Sequence, residues 1–162
     1  SNERGTAYHR VMECLNYSKA GSTEDIKNEI DRMVREEKLS LKQAECIKLK
    51  DIDTFAGSSI GERIKRAYAY GGVKREQPFV FEYDRQLVQG VIDLYFIEDG
   101  QLVIVDYKTD RVLRGRAGED ELRRRYSIQL DYYAMALSQI TGLKVKEKVI
   151  YSFALGRSLT VE

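Results

Sequence analysis

Histidine occurs once in this chain, at position 9, and cysteine only at positions 14 and 46. Two lone cysteines outside any CxxC spacing cannot build a four-cysteine zinc or iron–sulfur site within the chain. They read as buried thiols of a cytosolic protein, which gives a cytoplasmic location. No run of some 18 or more apolar residues occurs and no signal-peptide pattern is present, so nothing is expected to cross a membrane. An excess of one charge is missing too, since 27 basic side chains stand against 26 acidic ones. A net charge of +1 excludes bulk electrostatic attraction to nucleic acid, so any such binding must come from local patches. Low-complexity segments, internal repeats and a Walker-type phosphate loop are also absent. The opening Ser-Asn, with no methionine, reads as the scar of a cleaved tag on an excised domain and is set aside. What is left suits one domain over 3–162, large enough to bury roughly two-thirds of its unfolded surface.

What the chain does have is a pair of strongly apolar strands from Gly90 to Asp110, GVIDLYFIEDGQLVIVDYKTD. Asp99-Gly100 between β-branched and aromatic residues is a strong hairpin signal. With those two residues as the turn, Glu98 faces Gln101, Phe96 faces Val103 and Asp93 faces Asp106. Opposed side chains have Cβ atoms roughly 4.5–5.5 Å apart. Two carboxylates at that distance in an apolar strand pair require a cation or a shared proton. Lys108 lies two residues beyond Asp106, so the period of two puts both on one face.

Around the hairpin, the first part of the chain, over about 3–70, reads as helical. Thr6 serves as an N-cap for a helix reaching about Tyr17. Thr23 to about Glu37 forms a second helix, with Ile26, Ile30, Met33 and Val34 inward and its charges outward. Ser40 caps a third, whose Leu41, Ala44, Ile47 and Leu49 suggest burial. Asp51 to Tyr70 suits one or two short helices. From about 71 to 162 the pattern turns to strands at Val73–Tyr83, Gln86–Ile97 and Gln101–Tyr107. A basic loop over Asp110–Gly118, expected to be mobile, leads to a long helix over about Glu119–Ile140. Lys144–Phe153 and Arg157–Val161 close the chain as a strand pair. The fold class is α/β, a central mixed sheet with an antiparallel meander, flanked by helices.

Extending the register with Asp84-Arg85 as a turn places Glu76 opposite Asp93. Glu76, Asp93 and Asp106 then form a row across three strands, costly as structure and well suited to a divalent metal. Glu76 also reads as a solvated charge at a strand end. His9 is structural or a ligand; a place in the first turn after Thr6 would favour the neutral, metal-binding ring. Gln129 and Tyr133 sit i, i+4 on the long helix, where Tyr133 suits core packing and a buried Gln129 amide needs partners. Those partners could be the lysine, a metal shell or a phosphate. Arg111, Arg114, Arg116, Arg123, Arg124 and Arg125 follow within one short span, either as a solvated face or as forks for a phosphodiester backbone.

The ordered set GTAYH at 5–9, REQPF at 75–79, GVID at 90–93, VDYKTD at 105–110 and QLDYY at 129–133 resembles the RecB-like nucleases. These are a branch of the PD-(D/E)XK superfamily with a restriction-endonuclease-like core. The stretch LVQGVIDLYF…LVIVDYKTDRV is most similar to the C-terminal nuclease domains of AddA-type subunits of bacterial helicase–nucleases. The resemblance implies that His9, Asp93, Asp106 and the Tyr107 carbonyl hold Mg2+ or Mn2+. It further implies that Lys108 is the catalytic lysine and Glu76 a further active-site acid, and that Gln129 and Tyr133 line the site. Asp106-Tyr107-Lys108 meets the D-x-K pattern. The implied activity is hydrolysis of DNA, as single strands fed from a helicase portion of the same polypeptide, with an AddB-type partner, in double-strand-break repair. The readings beside it are a silent DNA-binding or assembly module of the same fold, a structural Ca2+ site, and a stand-alone resolvase or phage-type exonuclease.

Overall fold

Each two-residue turn sets one ladder of the sheet. The computed structural model describes residues 2–162. Asp99 and Gly100 both take positive φ, as do Asp84 and Arg85. This is the twist that a type I′ hairpin turn requires, and glycine meets it without strain. Strands β1 (Val73–Tyr83), β2 (Gln86–Glu98) and β3 (Gln101–Lys108) form an antiparallel meander in the expected register. β4 (Val145–Ser152) pairs parallel with β3, and β5 (Arg157–Val161) returns antiparallel, giving the order β1-β2-β3-β4-β5. A parallel neighbour needs a crossover, and the long helix over Arg116–Thr141 supplies it. Gly142, with φ 71°, ends that helix by donating its N–H to the Ser138 carbonyl.

The chain divides at Gly71/Gly72 into a helical unit and this sheet unit. The helical unit holds α1 (Asn2–Cys14), α2 (Thr23–Arg35), α3 (Leu41–Glu45), α4 (Leu49–Gly57) and α5 (Ser59–Ala69). The crossover helix is therefore α6. Ser22 caps α2, and Ser40 with Gln43 forms a reciprocal capping box on α3. Ile26, Ile30 and Met33 give α2 its buried face. Tyr8, Val11, Met12, Ile52, Phe55 and Ile64 are further buried side chains of this unit.

Four local expectations are corrected here. Thr6 is inside α1 rather than its cap, and its hydroxyl donates to the Asn2 carbonyl one turn back. Leu41 is 72% exposed, because α3 is only five residues long and buries none of them. Glu29 on α2 points inward at 3% exposure; it accepts from the Asn16 N–H at 2.8 Å and from Arg32 at 2.9 Å. Burial alone would raise that carboxyl, but Arg32 and the Asn16 N–H outweigh it and hold it below the usual range. Cys14 and Cys46 are half-buried free thiols rather than core residues.

In the sheet unit, α6 lays Leu122, Leu130, Tyr133, Ala136 and Leu137 against Ile92, Tyr95, Ile104 and Ile150. Each such aliphatic side chain contributes about 1.5–3 kcal/mol on burial. This core fixes the rotation of α6, and so decides which of its polar residues meet the strands. Among the described residues no helix is long and apolar enough to cross a membrane.

Candidate active site

The side chains of β3 from Leu102 to Val105 are fully buried, and Asp106 continues that run at 2% exposure. A carboxyl there is set in core, and its Oδ2 has no hydrogen-bond partner among the described residues. The reason lies in the ladder. β2 and β3 pair from Glu98↔Gln101 to Leu94↔Val105, and the next pair in register would be Asp93↔Asp106. The pairing stops there. The Asp93 Oδ2 instead accepts the Tyr107 N–H at 2.9 Å, so a side chain takes the place of a backbone acceptor. That bond holds Asp93 beside Asp106. Burial first, and then the Asp93 charge, push the Asp106 carboxyl well above the ordinary carboxylate range, with Lys108 only partly opposing them.

The β1–β2 ladder opens at the same row. Gln77↔Ile92 and Arg75↔Leu94 share one register, and the pair between them, Glu76 with Asp93, is skipped. Glu76 has φ 50°, a left-handed conformation that is rare for a residue within a strand. The row meets α6 at Tyr133. Burial, then the charges of Asp106, Asp93 and Glu76 in that order, raise its phenol, so all three acids act on one hydroxyl. The Tyr133 ring is itself held edge-on by Phe79, with centroids 5.5 Å apart.

Lys108 completes the cluster. Its Nζ lies 3.0 Å from Asp106 Oδ2, an ion pair lying off the hydrogen-bonding direction, and it donates to Gln129 Oε1 at 3.2 Å. The partner that a buried Gln129 needs is therefore the lysine. The ammonium also lies 4.0 Å from the centre of the Tyr126 ring. Tyr126 was expected only as part of the apolar line of α6. It stands three residues before Gln129, which puts both on one face of the helix, and that spacing was the available signal. A sequence does not say that a strand lysine reaches the ring.

The other expected residues lie elsewhere. His9 is on α1, in the helical unit, eight residues into the helix rather than in its first turn, so the dipole argument for its neutral form fails. Its Nδ1 faces the Gly5 carbonyl at 2.9 Å. A carbonyl only accepts, so this bond places the proton on Nδ1 and the lone pair on Nε2. Arg111, Arg114 and Arg116 are exposed on the segment leading into α6. Arg111 and Arg114 make no ion pair among the described residues, and Arg116 makes a long one, 3.8 Å, to Asp120. This segment is pinned at its start, where Asp110 accepts from Arg125 and Tyr126, each at 2.6 Å. Helix α6 also begins at Arg116, earlier than expected, and Gly118 is buried within it.

Among the described residues no three His, Cys, Asp or Glu side chains form a ready-made metal cage. The strands supply a carboxylate pair with one unpartnered oxygen and an adjacent ammonium. Hard oxygen donors of this kind fit Mg2+ or Mn2+, which bind through one or two carboxylates, waters and substrate phosphates rather than all-protein cages.

The model of the PD-(D/E)XK nuclease superfamily matches residues 1–159. The chain belongs to that superfamily. Its five-stranded mixed sheet with flanking helices is the restriction-endonuclease-like fold, and Asp106-Tyr107-Lys108 stands where the D-x-K signature is expected. The chain is 36% identical over 167 residues to the AddA-like ATP-dependent helicase/nuclease of Clostridium novyi (strain NT), covering 93% of this chain and 13% of that protein. It is 40% identical over 172 residues to the protein of the same name from Thermoanaerobacter sp. (strain X514), covering 97% and 14%. It thus spans about one-seventh of the length of these relatives. A crystal structure of a Eubacterium rectale protein is a more distant likeness, with TM-score 0.44 and 19% identity over 86% of this chain and 56% of that one.

Proposed function

We propose that this chain is a divalent-metal-dependent deoxyribonuclease domain that hydrolyses phosphodiester bonds in single-stranded DNA. The observation that carries the reading is the buried Asp106, with an unpartnered oxygen between Asp93 and Lys108. Such an arrangement destabilises a fold unless something cationic occupies it. Asp93, Asp106, the Tyr107 carbonyl and His9 Nε2 would hold Mg2+ or Mn2+, which supplies Lewis-acid activation of water and of a phosphate oxygen when bound.

The chain's own groups do the rest. Lys108 neutralises charge that builds on the phosphoryl oxygens as water attacks phosphorus and orients that water from the side of Asp106. A new P–O bond forms, the bond to the 3′ oxygen breaks, and that oxygen takes a proton from solvent, leaving a 5′-phosphate. Glu76 accepts hydrogen bonds from waters at the edge of the row. Gln129 holds Lys108 through its Oε1, and its amide N–H groups, which have no partner among the described residues, remain for a phosphate oxygen. Tyr133 closes the row against water. Arg111, Arg114 and Arg116 take the backbone phosphates of the strand beyond the cut.

The names of the relatives support a place behind a helicase in the same polypeptide, with DNA unwound at broken ends as substrate and an AddB-type protein as partner. Cleavage of a labelled single-stranded DNA with Mg2+ or Mn2+, beside Asp106→Ala and Lys108→Ala, tests the reading. Both variants should lose at least about a hundredfold, the size expected for removing a central charge stabiliser. Equal rates for all three would refute it.

A further inference from the structure

Beyond the residues that touch the reacting phosphate, Lys108 itself has to be held. Its four-carbon stem is flexible, and an ammonium beside Asp106 alone would collapse onto that carboxylate instead of facing a phosphate. Two of its three contacts come from one face of α6: the Gln129 oxygen at 3.2 Å and the Tyr126 ring at 4.0 Å from centre to Nζ. A ring fixes a cation only if the ring is fixed. Here the Tyr126 hydroxyl donates to Asp110 Oδ2 at 2.6 Å, and Arg125 donates to the same oxygen at 2.6 Å. Asp110 lies two residues after Lys108, so the strand end and the helix are tied together on either side of the lysine. Arg125 also pairs with Glu121 one turn back, which holds the guanidinium on the helix surface.

We propose that Tyr126 is a positioning residue for Lys108, and that Asp110 with Arg125 clamps it. The ring holds the ammonium off Asp106 and turned toward the phosphate. The clamp also sets the first residue of the arginine-bearing segment, so the lysine and the start of the strand-binding loop share one anchor. Core packing alone would account for a buried ring, but not for a half-buried one with an ammonium on its face and a carboxylate on its hydroxyl. The inference rests on the reading of Lys108 as the charge stabiliser.

Steady-state cleavage of a single-stranded oligonucleotide by the 162-residue chain, with kcat and KM separated, tests it. Tyr126→Leu should lower kcat about tenfold with KM within about twofold, the size of one desolvated cation–ring contact. Tyr126→Phe and Asp110→Asn should each lower kcat less, and together no more than either alone, because they cut the same bond. In a Lys108→Ala background Tyr126→Leu should do nothing further. The proposal falls if Tyr126→Leu keeps full kcat, or if it lowers the residual rate of Lys108→Ala by the same factor. Should Tyr126→Leu fail to fold, Tyr126→Phe and Asp110→Asn carry the test, and additive effects of the two overturn it. A wild type that does not cut at all refutes the nuclease reading instead. The clamp is then read by NMR without activity. The Lys108 ε-methylene protons, assigned through Lys108→Arg, should be shifted upfield by the ring and lose that shift in Tyr126→Phe/Asp110→Asn. An unshifted Lys108 signal in the wild type overturns the clamp.

Discussion

Replacing Asp106 by asparagine should make the metal-free protein more stable and leave it unable to work. Burial and the Asp93 charge push the Asp106 carboxyl from 3.8 up to about 7. Below pH 4 the carboxyl is protonated in both folded and unfolded chains, and the site costs nothing. As pH rises through the window from about 4 to about 7, the unfolded chain ionises freely while the folded one must keep its proton. Stability therefore falls across that window and levels off above it. At 1.36 kcal/mol per pH unit the full loss is on the order of 4 kcal/mol. Asparagine keeps the shape and carries no charge, so the variant escapes the loss. Thermal unfolding of both proteins in EDTA from pH 4 to pH 8.5 measures this. The curves should meet near pH 4 and separate in favour of Asp106→Asn above pH 7. A gain of 2 kcal/mol would appear as roughly 4–8 °C for a chain of this size. Added Mg2+ should then stabilise the wild type and leave the variant unmoved. A variant less stable than wild type at pH 8 in EDTA would refute the account of Asp106 as a strained, unpaired carboxyl.

Two further outcomes follow from geometry. A Cβ at Gly118 would meet the Leu113 carbonyl oxygen at 1.7 Å, so Gly118→Ala must displace the loop or the first turn of α6. It should lower stability by at least about 1–3 kcal/mol in chemical denaturation, and an unchanged midpoint would show that the loop does not pack there. Arg111→Ala and Arg114→Ala should each weaken binding of single-stranded DNA and flatten its dependence on log salt by about 0.7, with kcat little changed; a salt slope equal to wild type would remove them from the strand path.

The row of acids was legible because turns set register. Asp99-Gly100 and Asp84-Arg85 are both two-residue turns with positive φ, so every pair between them keeps one arithmetic, and Asp93, Asp106 and Glu76 fall in line. The second turn formed although Arg85 is a poor residue for it, which shows tertiary pairing outweighing local preference. The sequence could not tell that the ladder would stop at that row, because the interruption depends on Asp93 reaching the Tyr107 N–H. Expectations drawn from one residue and its neighbours fared worse. Thr6 has the chemistry of a cap, yet α1 continues upstream of it, and the argument for His9 that depended on the cap failed with it. Glu29 reads as solvent-facing until the Asn16 N–H and Arg32 are brought to it from outside its own turn. The loop after Lys108 reads as mobile from its glycine and arginines, and is tied down by Asp110 through partners that lie fifteen and sixteen residues on.

Three departures from good local structure fall on one row of the sheet: two ladders open, Glu76 adopts a left-handed backbone, and Asp106 is buried with an oxygen unsatisfied. Elsewhere the same strands pair without interruption to their turns and bury apolar side chains in close succession. Strain spread at random would not collect where three acids and a lysine converge. A sequence selected for stability alone would restore the pairs and place an apolar residue at 106, since a buried charge without a counter-ion is the costlier choice. The conformational departures and the electrostatic one therefore have a single cause, which is that this row is built to be completed by a cation and a phosphate. The neighbouring Tyr126 and Asp110 then fall into place as the part of the structure that keeps Lys108 from completing the row by itself.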